Sequence, residues 1–113
     1  MTSITLPALR SGATIQQVKG LNMAAGYHFF DPSTMRGFRS RICPEVFEGK
    51  DGFYFVTSEQ FEDSAGRRAD RLYTVRLIRP DGSIRDLGEF QQHKTKRAAL
   101  AAIRAHLAGV TAS

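Results

Sequence analysis

The sequence predicts an α+β domain: an antiparallel four-stranded sheet of two hairpins, with a short N-terminal helix and a longer C-terminal helix packed on one face. Three observations predict it. Alternating apolar stretches at 46–61 and 72–90 each surround a turn signal, Asp51-Gly52 in the first and Pro80-Asp81-Gly82 in the second. The segment after residue 94 carries apolar residues at helical spacing within an alanine run. The length, 113 residues, is that of one domain.

Residues 1–12 read as a flexible arm, in which Pro7 and Gly12 interrupt the short apolar pair Ile4 and Leu6. The domain proper spans 13–113. A weak helix fits 14–24, where Ile15, Val18 and Leu21 or Asn22 fall near helical spacing, limited by Gly20 and Gly26. Asp31-Pro32-Ser33-Thr34 opens a second helix, because Asp accepts from free N–H groups and Pro suits the first helical position. Met35, Phe38 and Ile42 then make one apolar face, Arg36, Arg39 and Arg41 lie off it, and Pro44 ends the helix.

The first hairpin runs Val46–Glu48, a turn at 49–52, then Phe53 to Phe61. A polar loop, EDSAGRRADR, covers 62–71. In the second hairpin Leu72 to Arg79 sends Tyr73, Val75 and Leu77 one way and Thr74, Arg76 and Ile78 the other, and Ser83 to Phe90 returns. Thr95 caps the last helix, which runs to Leu107 and buries Leu100, Ile103, Leu107 and Val110 with Ala99 beside them.

Hydrophobic residues form 42% of the chain and include eight Phe, which is enough for one packed core. No run approaches the roughly 20 apolar residues of a membrane span. The start of the chain lacks the basic-then-apolar pattern of a secretory signal, and a single cysteine, Cys43, forms no internal disulfide. The expected compartment is therefore the cytoplasm.

Net charge is +5, and its distribution is uneven. Residues 67–113 carry ten Lys/Arg against four Asp/Glu, whereas 1–66 carry six against seven. Within 45–63 six acids face Lys50 alone. The basic half is thus the candidate partner-binding surface: Arg67, Arg68 and Arg71 from the loop, Arg76, Arg79 and Arg85 from the second hairpin, and Lys94, Lys96, Arg97 and Arg104 around the last helix. Guanidinium and ammonium groups bind phosphates and release counterions from a nucleic acid.

The sheet followed by HKTKRAALAAIRAHL resembles the closing part of double-stranded RNA-binding domains, with Lys94, Lys96 and Arg97 at the phosphate-contacting positions. YTVRLIRPDGSIRDLGEF before a helix resembles the hairpin and helix of phage integrase arm-binding domains. Upstream, HFFDPSTMRGFRSRI at 28–42, YFVTSEQF at 54–61 and YTVR at 73–76 resemble a family of small bacteriophage and mobile-element proteins. These share HFFxPxTMRFFxSR, FVTSE and YTVR runs, and Gly37 stands here where an aromatic is usual. That resemblance implies a compact α+β domain of mobile-element origin in a bacterial host cell, and no activity.

Catalytic patterns are lacking. His28, His93 and His106 are scattered without metal-ligand spacing, and Gly49, Gly52 and Gly82 have simple turn explanations. Cys43, between Ile42 and Pro44, reads as core packing, since Arg41 alone is near enough to lower its pKa. Ser58-Glu59 and Asp31-Ser33 assemble into no triad, and no cofactor is implied. Of the aromatics Phe53, Tyr54, Phe55, Phe61 and Tyr73, one alternating set must be core; any ring left exposed beside arginines could stack on bases or anchor a protein.

The expected function is non-catalytic: a phage or mobile-element accessory protein that binds nucleic acid or a nucleoprotein complex through its basic C-terminal half. The alternative is an anti-defence inhibitor of anti-CRISPR type that docks directly on a host effector protein. Self-association of the acidic 45–63 segment with the basic 67–104 segment of another copy is a third expectation.

Overall fold

The computed structural model describes residues 14–37 and 39–109. The arm expected over 1–12 lies outside them, as do two apolar positions expected in helices, Phe38 and Val110. The elements in chain order are α1 (Ile15–Ala24), α2 (Pro32–Gly37), β1 (Arg41–Ile42), β2 (Phe47–Gly49), β3 (Gly52–Glu59), β4 (Leu72–Ile78), β5 (Ile84–Asp86) and α3 (Lys96–Leu107). Among the described residues, no helix is long and apolar enough to cross a membrane.

The fold is α+β with an antiparallel sheet, as the alternation predicts. β3 is its centre. On one side it pairs with β4 from Phe53 opposite Ile78 to Glu59 opposite Leu72. Its other side is shared by β2, with Phe47 opposite Tyr54, and β1, with Arg41 opposite Ser58. β5 extends the sheet beyond β4, with Ile84 opposite Ile78.

Among the described residues the sheet has five strands, one more than the two expected hairpins supply. The extra one comes from residues read as the end of a helix. α2 stops at Gly37, and the chain reverses at Arg39, whose φ is 50°. The amides of Arg39 and Ser40 donate back to the carbonyls of Arg36 and Met35, at 3.1 and 2.8 Å, and so close the helix end. Pro44 favours an extended residue before it. Arg41 and Ile42 accordingly pair with β3, and the Cys43 amide continues the ladder to the Val56 carbonyl at 2.9 Å. The Asp31 carboxylate meets His28 at 3.1 Å.

The helices lie on opposite faces of the sheet, not on one. Tyr54, Val56, Val75 and Leu77 pack with Phe47, Cys43 and the α3 residues Ala99 and Ile103. The alternate set, Phe55 and Ile78, packs with Val18 of α1, Phe30 and Val46, joined by Met35 of α2. The reason is visible in the strands. The centre of β3 is buried residue after residue, so both of its faces need a cover. The HFF run supplies part of that cover: Phe29 and Phe30 sit edge-on at 4.8 Å, and Phe30 lies 5.9 Å from Phe55.

Both long helices are capped by threonine. Thr14 accepts from the Gln17 amide at 3.3 Å and the Gln17 side chain returns the bond, a reciprocal box. Thr95 accepts from the Ala98 amide at 3.0 Å, as expected. Asn22 in α1 is buried and donates to the Gly82 carbonyl at 2.8 Å, which ties α1 to the turn between β4 and β5.

The last strand is shorter than Ser83 to Phe90. After Asp86 the backbone turns left-handed at Gly88 and Gln91 (φ 84° and 58°) and loops away from β4. It rejoins at His93, which exchanges two backbone hydrogen bonds with Tyr73 at 2.8 and 3.0 Å. The His93 ring is half-buried, and burial lowers its pKa from the ordinary 6.5. The unfolded chain therefore takes up a proton near pH 6.5 that the folded one still refuses. Stability present above that pH is lost as pH falls through the lower folded pKa. Denaturation at pH 8 and pH 5 should show a smaller acid loss for His93→Asn than for the wild type; equal losses would refute the assignment.

Candidate functional site

The ten basic residues singled out by the sequence do not gather on one surface. Arg76 is drawn into the protein, with its side chain only 11% exposed. Its Nε donates to the Thr57 hydroxyl at 3.0 Å, and its two other nitrogens meet Glu59 at 3.3 Å and Asp86. The guanidinium lies between the Phe29 and Phe90 rings, 5.2 and 5.4 Å from their centroids. Glu59 is buried beneath it and also accepts from the Thr74 hydroxyl at 3.2 Å. Arg76 is therefore a structural residue, because its alternate face of β4 is covered rather than wet.

Two others are neutralised by nearby carboxylates. Lys96 meets Glu45 at 2.8 Å, and this bond raises its pKa. Arg67 meets Asp63 at 3.0 Å. Arg104 lies 5.9 Å over the buried Phe47 ring. Arg79 and Arg85 line a small cleft with Asp51, Asp86, Tyr54 and His106, where the Tyr54 hydroxyl and His106 Nε2 are 3.0 Å apart. Burial, then Asp51, raises the Tyr54 pKa. Lys94 and Arg97 are exposed around the start of α3.

The acidic 45–63 segment is consumed in the same way. Glu45, Glu59, Glu62 and Asp63 all form ion pairs within the chain. Four basic residues of 67–104 thus meet acids of 45–63 inside one chain, the segments expected to pair between two copies.

The structure instead concentrates positive charge at the other end of the sheet. An open cleft of about 680 Å³ is lined by Arg36 and Met35 of α2, Arg39 and Ser40 of the reversal and Arg41 of β1. Gln60, Phe61 and Glu62 after β3, with Arg68 and Arg71 of the following loop, complete it. Among the described residues, five arginines thus face one carboxylate. Only Arg68 and Arg71 belonged to the basic half; the other three come from a segment whose summed charge is slightly negative.

Local structure explains how these side chains are aimed. The 62–71 loop is a small hairpin. The Asp63 carboxylate accepts from the amides of Ala65 and Arg67, both at 2.9 Å, and the Ala69 amide donates to the Phe61 carbonyl at 2.9 Å. Arg71 is anchored by one nitrogen to the Arg39 carbonyl at 3.0 Å and to the Ser58 carbonyl and hydroxyl at 3.1 and 2.9 Å. Neutral acceptors hold it without cancelling its charge. Burial lowers its pKa from the ordinary arginine value, and the nearby Arg41 adds to the shift. Glu62 is bracketed by Arg39 and Arg68, each at 3.3 Å. Arg36 and Arg41 are exposed and form no ion pair among the described residues.

Phe61 in the cleft wall is 40% exposed, and its ring centroid lies 6.2 Å from that of Phe90, which is 43% exposed. Cys43 is buried, and burial pushes its thiol pKa up, away from nucleophilic thiolate. Among the described residues, no three His, Cys, Asp or Glu side chains come together as a metal site would need.

No curated protein and no solved structure matches the chain. A family model does match, over residues 14–104, and its description is a family of unknown function, DUF7447. That span holds every described strand, the first nine residues of α3 and the whole arginine cleft, so the chain belongs to this family.

Proposed function

We propose that this protein is a non-catalytic binding protein that holds the phosphate backbone of a nucleic acid, bare or within a nucleoprotein complex, in the arginine cleft. One observation carries the proposal: five guanidinium groups converge on an open concave surface around a single carboxylate. A concave site focuses the field of its charges and draws in anions. Arginine's planar fork suits phosphate oxygens, and Arg71 is already fixed in place by neutral acceptors. The cleft volume falls within the range of about 300–1,000 Å³ usual for ligand sites. The sequence resemblance to phage and mobile-element proteins fits an accessory role in a bacterial host cell.

The test is a salt titration of binding to single-stranded and duplex oligonucleotides. Three phosphate contacts would weaken binding about 20- to 40-fold between 50 and 200 mM salt. Arg41→Ala should reduce the logarithmic salt slope by about 0.7–0.9, the share of one contact. No binding to any DNA or RNA at 50 mM salt would sink the proposal. Recovery from host lysate of a protein partner that survives nuclease treatment would favour direct docking on a host effector instead.

A further inference from the structure

Binding of phosphate in the cleft leaves open whether the nucleic acid is paired, and the aromatic residues bear on that. We propose that the cleft takes a single strand, with an unpaired base stacked on the Phe61 and Phe90 ridge; this rests on the phosphate-binding role of the cleft.

Three observations lead there. Phe61 belongs to the cleft wall itself, among the arginines, and 40% of it faces solvent. Phe90, from the loop after β5, brings its ring to 6.2 Å from Phe61, so two separate elements build one apolar ledge. The Phe61 backbone and the Phe90 ring each have a fixed neighbour. The Phe61 carbonyl accepts from the Ala69 amide at 2.9 Å, and the Arg76 guanidinium sits 5.4 Å from the Phe90 centroid. An aromatic ledge that is fixed in advance loses little freedom when a base settles on it.

A base can reach such a ring only when it is unpaired. In a duplex the bases are stacked on one another and the phosphates face outward, so the arginines would be engaged and the phenylalanines idle. A single strand engages both: its backbone follows the positive cleft while a base lies on the neighbouring ring. Stacking is indifferent to base identity because every base offers a π-face, so little sequence preference is expected. The pairing of a positive groove with aromatic platforms is the general solution for holding unpaired strands.

The experiment compares wild type, Phe61→Ala and Phe90→Ala by fluorescence anisotropy at 50 mM salt. The probes are oligo(dT), oligo(U), an abasic strand of the same length and a duplex. Phe61→Ala should weaken oligo(dT) and oligo(U) binding roughly tenfold and leave the abasic strand and duplex within about twofold. The two single-stranded probes tell DNA from RNA. A second readout uses the absence of tryptophan from the chain. Phe61→Trp installs a lone indole, whose fluorescence should be quenched by oligo(dT) and oligo(U) but not by the abasic strand. Equal binding of abasic and normal strands, or no effect of Phe61→Ala on single strands, overturns single-strand stacking while phosphate binding stands. Absence of binding to all four probes overturns both.

Discussion

Arg76→Ala should cost about 3–5 kcal/mol of folding stability, the loss expected when one partner of a buried ion pair is removed. Its guanidinium is the hub of the face that α1 and α2 cover. Removing it leaves Glu59, 1% exposed, with the Thr74 hydroxyl as its remaining side-chain partner, and strips Asp86 of its ion pair. It also opens a gap between the Phe29 and Phe90 rings that the guanidinium fills. Glu59 is then a covered carboxylate without a counter-charge, with the partly exposed Asp86 close by. The double substitution Arg76→Met with Glu59→Gln should cost clearly less, since the uncompensated charge goes with its partner. Denaturant unfolding of the three proteins checks this. A loss under 1 kcal/mol for Arg76→Ala would mean that water reaches the network and that it contributes little.

Gly52→Ala should be the second most damaging change, at about 2–4 kcal/mol from backbone strain and overpacking together. Lys50 and Asp51 form the two-residue turn between β2 and β3, and Gly52 follows opposite Gly49. Its φ is 142°, a conformation that side chains with a Cβ rarely adopt. A Cβ there would lie 2.0 Å from the Ile78 carbonyl oxygen and 3.1 Å from the Arg79 Cα. Those are backbone atoms at and just past the end of β4 and have no rotamer with which to yield. Relief requires β3 and β4 to part at the end where Phe53 pairs with Ile78. Hydrogen exchange should show the Phe53 and Ile78 amides opening first in this variant. Unfolding within about 0.5 kcal/mol of wild type would show that the turn reshapes at little cost.

The arginine cleft was only partly legible in the sequence, for a physical reason. Summing charge along the chain marks 67–113 as basic and 45–63 as acidic. Folding pairs them: Arg76 with Glu59, Lys96 with Glu45 and Arg68 with Glu62. Excess charge is then a property of where acids are missing in space. Arg36 and Arg41 stand out because, among the described residues, no carboxylate pairs with them. The available signal was the cluster Arg36, Arg39 and Arg41 lying off the apolar face of an expected helix. Phe61 was legible in a conditional form, as an aromatic that would matter if exposed beside arginines, and it is.

Local rules carried the hairpins, the α3 cap at Thr95 and the α+β class, because alternation, Asp-Gly turns and threonine caps act over a few residues. Long-range competition decided what they could not. Arg41 and Ile42 fit the periodicity of a helix, yet an unpaired edge of β3 offered them hydrogen bonds after the chain had reversed at Arg39. The side of the sheet on which each helix lies, and which arginines keep their charge exposed, depend on residues some 15–60 positions apart meeting in space, as Asn22 meets Gly82 (60 apart) and Arg76 meets Glu59 (17 apart). Desolvation and ion pairing are set by those meetings, so periodicity along the chain does not report them.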